Sequence, residues 1–117
     1  MPKTIETQYG QIFVGEDVIA TTAGFAALDC AGLAEMASRR QVKDRVTEAL
    51  GRDNPGRGVE VRLNGDEVHV DLFVIVDYGI NIYEAAQNIR HKVDYVLSDT
   101  VGVNATSINI FVQGVKL

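Results

Sequence analysis

Cys30, His69, Asp71 and His91 are the side chains whose types lend themselves to nucleophilic or metal chemistry in this chain. His69 and Asp71 stand two apart in an alternating stretch, so both project from one face of a strand and could touch a single ion. Two ligands fall short of a metal site, and a solvated strand face is the expected setting for both residues. Cys30 follows a helical stretch of small residues, where a lone thiol serves as packing. His91 is expected on an exposed helical surface. One cysteine excludes an internal disulfide and a cysteine-based zinc cluster. No catalytic, cofactor-binding or metal-ligating set emerges from these residues.

Positive charge gathers in one region instead: Arg39, Arg40, Lys43, Arg45, Arg52 and Arg57. Two functional readings suit it, besides a plain solvated face. One is docking on an acidic partner, carried by Arg39, Arg40 and Lys43. The other is an RNA-binding module of KH-like type using the Arg39–Arg57 cluster. A KH clamp needs Gly-x-x-Gly between two helices, and Gly51-Arg52-Asp53-Asn54 breaks that spacing. Loop 52–58 matches neither a phosphate-binding loop nor a dinucleotide fingerprint. The net charge of −5 argues against a general nucleic-acid binder and against adsorption to an anionic membrane.

With 117 residues, 46% hydrophobic and 23% charged, the chain has the size and balance of one globular domain. A chain of this length buries roughly two-thirds of its unfolded surface, enough for a core without disulfides or metals. No apolar run reaches the roughly 20 residues of a membrane span, and the N-terminus lacks a signal-peptide core. A soluble, cytoplasmic protein is expected, brought to a membrane only by a partner.

The elements that must position these residues centre on 58–78. Val59, Val61 and Leu63 alternate with polar residues, as do Val68, Val70, Leu72, Val74 and Val76, the period of strands with one buried face. Asn64-Gly65 between them reads as the tight turn of a β-hairpin. Residues 1–8 are polar and expected to be a flexible N-terminal segment, leaving 9–117 as a single domain. Gly10–Val14 reads as a short strand with Ile12 and Val14 on one face and Phe13 on the other. Glu16 and Asp17 suit the start of a small-residue helix running to about Leu28. A short extended piece follows near Leu33, then a second helix over about Arg40–Leu50, terminated by Gly51. Asn81, with Glu84 three residues on, opens a helix to about Thr100 whose apolar stripe is Ile82, Ala86, Ile89, Val93, Val96 and Leu97. Gly102 closes it, and Ser107 to about Val115 alternates again. This order predicts an α+β two-layer sandwich: a mixed sheet with a central hairpin and helices packed on one face.

On the opposite face, β-alternation changes character. Glu67, His69 and Asp71 give way to Phe73 and Ile75, and the last strand adds Phe111 between Asn109 and Gln113. Phe73, Ile75 and Phe111 therefore form a candidate interaction surface, unless a helix or the N-terminal segment, through Phe13, folds over it.

In order and spacing these segments resemble the alkaline-shock-protein family, the envelope stress response family of Gram-positive bacteria. The resemblance runs from about Tyr9 to Val115. It is carried by Gly10-Gln11-Ile12-Phe13-Val14, Glu16-Asp17-Val18-Ile19-Ala20, Ala23-Gly24-Phe25-Ala26-Ala27 and Gly32-Leu33. It continues through Gly58-Val59-Glu60-Val61, Val70-Asp71-Leu72, Val76-Asp77-Tyr78-Gly79 and the closing Ile108-Asn109-Ile110-Phe111-Val112-Gln113-Gly114-Val115. It implies a non-enzymatic protein of cell-envelope homeostasis, without a cofactor, that self-associates into a homo-oligomer. It also implies a scaffold or adaptor held near the membrane by a membrane-embedded anchor protein.

Overall fold

Alternation along Glu67–Asp77 decides the architecture. The computed structural model describes residues 3–37 and 57–117. Within it the strands are β1 (Lys3–Thr7), β2 (Gly10–Val14), β3 (Leu33–Met36), β4 (Val59–Asn64), β5 (Glu67–Asp77) and β6 (Ser107–Lys116). The helices are α1 (Glu16–Leu28) and α2 (Ile82–Val96), the latter continued by a π-helical turn over Leu97–Val101. The helix expected over Arg40–Leu50 lies outside the described residues.

Val68, Val70, Leu72, Val74 and Val76 of β5 are all fully buried. Each contributes about 1.5–3 kcal/mol of hydrophobic stabilisation before entropy is counted. They pack with Ile19, Ala23 and Ala27 of α1 and with Ile89, Val93 and Leu97 of the second helical segment. The small residues of α1 let it approach the sheet and α2 closely. The sheet is mixed: β5 pairs antiparallel with β3 and β4 and parallel with β6. The α+β sandwich with its central hairpin and helices on one face is the observed fold.

β6 runs beside β5 from His69 to Asp77, so β3 and β4 must share the other edge of β5 end to end. They meet at Phe73. Its N–H donates to Gly58 O at 2.8 Å and its carbonyl accepts from Ala37 N–H at 2.7 Å. Gly58 has φ +81°, and a Cβ there would come 2.3 Å from Ala37 O. Only glycine lets the two strand ends come together at this point.

Several expectations change in detail. Asn64 pairs with Glu67, so the two turn residues are Gly65 and Asp66, one position later than expected. Gly65 has φ +62° and, among the described residues, no non-glycine residue has positive φ, Asp66 included, the signature of a type II′ turn with glycine first. Residues 3–7, within the stretch expected to be flexible, form β1, which pairs antiparallel with β2 through Ile5 opposite Ile12. Only one apolar residue stands in Lys3–Thr7, so pattern alone assigns no strand there; pairing with β2 supplies it. Val14 joins the core, while Ile12 and Phe13 are exposed.

Asn81 caps α2 as expected, its Oδ1 accepting from Glu84 N–H at 3.0 Å. The buried stripe of that helix is Ala85, Ile89, Val93 and Leu97, with Ile82 largely exposed and Ala86 only half-buried. Successive residues four apart trace a row inclined to the helix axis, and Ile82 falls off its edge. The helical backbone does extend to residue 101, but the last turn loosens: Gly102 N–H reaches back five residues to Leu97 O at 2.9 Å.

Replacing Gly58 with alanine is expected to lower unfolding free energy by at least about 2 kcal/mol, from backbone strain plus the clash with Ala37 O. Gly65→Ala, where the Cβ would meet open space, is expected to cost about 1–2 kcal/mol, from left-handed strain alone. Urea denaturation of both variants checks this, and equal losses would contradict the junction's special role.

The outer sheet face as candidate functional site

Opposite the helices, β5 presents His69, Asp71, Phe73 and Ile75, flanked by β4 and β6. Register fixes the neighbours. His69 stands between Arg62 and Ser107, Asp71 between Glu60 and Asn109, and Phe73 beside Phe111. One half of the face is therefore polar and the other aromatic.

In the polar half, the Asp71 carboxylate meets Arg62 Nη2 at 3.2 Å and accepts from Asn109 Nδ2 at 2.9 Å. Arg62 reaches it diagonally, because Glu60 stands directly opposite; this offsets the like-charge pairing of Glu60 with Asp71. Asp71 is only 8% exposed. It is not the solvated strand carboxylate that alternation suggested, because side chains of both neighbouring strands close over it. His69 Nδ1 lies 2.7 Å from Ser107 Oγ and Nε2 lies 2.9 Å from Glu67 Oε1. Both ring nitrogens are thus occupied by hydrogen-bond partners. Among the described residues, no group of three or more His, Cys, Asp or Glu could hold a metal ion.

In the aromatic half, Phe73 and Phe111 stack with centroids 4.9 Å apart and planes 13° from parallel. Such a pair contributes about 0.5–1.5 kcal/mol beyond its buried area. Phe73 is 8% exposed and Phe111 42%. Ile75, half-buried, sits opposite Gly114 after a register shift that leaves Gln113 unpaired with β5, a β-bulge. The three residues named from sequence do lie on one face, and the part open to solvent is chiefly Phe111. Phe13 is itself exposed.

Arg39, Arg40 and Lys43 lie outside the described residues. Cys30 is half-buried, its Sγ 3.5 Å from Ala26 O. Burial raises its thiol pKa above the ordinary value, partly countered by nearby Lys92 and reinforced by Asp29. At neutral pH that leaves little thiolate, the reacting form. Sequence reasoning missed the Asp71 cluster. Its signal was present, since Arg62 and Asn109 alternate onto the same face as Asp71, but the strand register that joins them is not readable from one chain.

Fold and face together define a small α+β domain whose distinctive feature is a two-part sheet surface, half ion-paired and half aromatic. The chain belongs to the alkaline-shock-protein family, of cell envelope-related function, whose family model matches residues 4–117. It is similar to the uncharacterized protein YloU of Bacillus subtilis strain 168, 47% identical over 113 residues, covering 97% of this chain and 94% of the relative. It is also similar to the uncharacterized protein Spy1614 of Streptococcus pyogenes serotype M6, at 33% over 117 residues, 100% of this chain and 97% of the relative. A third relative, the uncharacterized protein YqhY of Bacillus subtilis strain 168, is 30% identical over 111 residues, 95% and 81% of the two chains. No solved structure matches significantly.

Asp71→Ala is expected to destabilise the fold by about 1–3 kcal/mol, since it strips a buried carboxylate and leaves Asn109 without its acceptor. Arg62→Ala, whose side chain is largely exposed, should cost less than about 1 kcal/mol. Thermal unfolding of the two variants measures the difference; a larger loss from Arg62→Ala would contradict the assignment of the buried carboxylate as the cluster's centre.

Proposed function

We propose that this protein acts as a non-enzymatic, self-associating scaffold or adaptor in cell-envelope homeostasis, docked to a membrane-anchored partner. The observation that carries the self-association is Phe111: a large aromatic ring 42% exposed on the sheet face that no described helix covers. Its stack on Phe73 holds it in one orientation, so little side-chain entropy is lost when a second surface closes on it. Exposed apolar surface of this kind, beside a satisfied polar cluster, suits an interface with an aromatic centre and a polar rim.

The family's envelope-related function sets where such a scaffold works. Among the described residues no helix is long and apolar enough to cross a membrane. In this reading a membrane-embedded anchor protein supplies the attachment, and the chain supplies the assembly. Arg39, Arg40 and Lys43 offer that partner a basic docking segment.

Phe111→Ser removes the exposed ring while leaving the buried Phe73 in place. Light scattering behind size-exclusion chromatography is expected to show self-association weakened by about tenfold or more, or about 1.4 kcal/mol, with the far-ultraviolet circular dichroism unchanged. Undiminished assembly by the folded variant would overturn the role given to Phe111.

A further inference from the structure

Resting on that self-association reading, we infer that the outer edge of β6 is the seam along which two copies join, strand against strand and antiparallel, about a two-fold axis at Phe111. The two margins of the sheet differ in kind. On one margin stand β3 and β4, short strands of four and six residues carrying Glu35, Glu60 and Arg62. Short length and charge are the ordinary means by which an edge avoids pairing with another chain. On the other margin stands β6, ten residues long, with no proline and with Lys116, its last residue, as its one charge. Among the described residues its only strand partner is β5.

The core-facing side of the sheet is also unfinished there. Val70, Leu72 and Val74 of β5 are fully buried, but their β6 neighbours Ile108, Ile110 and Val112 are only partly so. A further strand beside β6 would bury them.

Backbone direction sets which groups are free to pair. Phe73 spends both its N–H and its C=O on the β3–β4 side, and Tyr78 N–H donates to Lys116 O of β6 at 2.9 Å, so Val70, Leu72 and Val74 are the β5 residues whose backbone groups face β6. In a parallel pair only one of two opposed residues points its N–H and C=O at the other strand, so the β6 partners of those residues, Ile108, Ile110 and Val112, point theirs outward. A two-fold axis at Phe111 lets Ile110 and the second copy's Val112 exchange both of their hydrogen bonds, with the two Phe111 residues as the closer, non-hydrogen-bonded pair between them. It sets Ile110 against the second copy's Val112 on the core-facing side, and Asn109 against its Gln113 on the outer side. The two exposed Phe111 rings then become neighbours, extending each Phe73–Phe111 stack across the seam. No like charges meet, since Lys116 lies at the far end of each strand. The charged β4 margin of a second copy offers no such match. The occupant is therefore a second β6, and the bulge at Gln113 limits the seam to the middle of the strand.

The test uses full-length chains with Cys30→Ser as background. Asn109→Cys and Gln113→Cys chains, mixed under mild oxidation, should form a disulfide-linked dimer at least tenfold faster than either chain alone. Opposed residues of an antiparallel pair lie within disulfide range. Two Asn109 positions would stand about 13 Å apart along the seam, at about 3.3 Å per residue. Equal cross-linking of Asn109→Cys chains with one another would overturn the register. Because Asn109→Cys also removes a hydrogen bond to Asp71, the unmodified protein provides a second readout. Exchange of the Ile110 and Val112 amide hydrogens should slow at least tenfold as concentration rises through the association range measured by sedimentation. Association without that protection would overturn the β6 seam and leave self-association standing. No association at any concentration would remove both. A strand donated by a different protein would give neither cross-link nor protection in the pure chain, and so would also overturn it.

Discussion

Everything in this structure hangs on β5 being satisfied along both edges at once. Its core-facing residues form the floor on which α1 and α2 pack. One edge is served by a single long partner, β6. The other must be assembled from two strands that are separate in the chain, β3 and β4, meeting at the Phe73 peptide. A buried backbone group left without a partner costs as much as a lost hydrogen bond or more. The left-handed Gly58 is the solution: it allows the end of β3 and the start of β4 to supply an N–H and a C=O to the same residue. The position of Phe73 against Phe111, and hence the aromatic half of the outer face, follows from that junction.

The two halves of the outer face answer different demands. Around Asp71, charge and amide groups from three strands satisfy one another inside the chain. Such a cluster fixes strand register, because a one-residue slip would carry Arg62 and Asn109 to the other face. Around Phe111 the chain leaves apolar surface open, on a strand whose one charge is its last residue, Lys116. A polar, internally closed region beside an apolar open one gives a surface that can associate without relying on the ion pairs that salt would weaken.

Much of the architecture was legible because strong signals agreed. Strict alternation in β4, β5 and β6, the Asn81 cap and the helical character of Glu16–Leu28 all point to the elements observed. The departures share a cause: each depends on a partner distant in sequence. β1 carries one apolar residue and exists by pairing with β2. The hairpin turn moved by one residue because the pairing of Asn64 with Glu67, not the Asn-Gly pair itself, sets the loop. Asp71 read as solvated because burial by side chains from β4 and β6 cannot be seen along β5 alone. The grouping of Phe73, Ile75 and Phe111 on one face followed from alternation. Their unequal exposure did not, since it depends on what lies across the strands.

The central claim is that this chain meets copies of itself through that face. Sedimentation velocity of the unmodified protein, over a wide concentration range at moderate salt, tests it most directly. The account predicts a weight-average mass that climbs with concentration and persists when salt is raised, because the contact is apolar and backbone-mediated. A monomer mass at every concentration would contradict it.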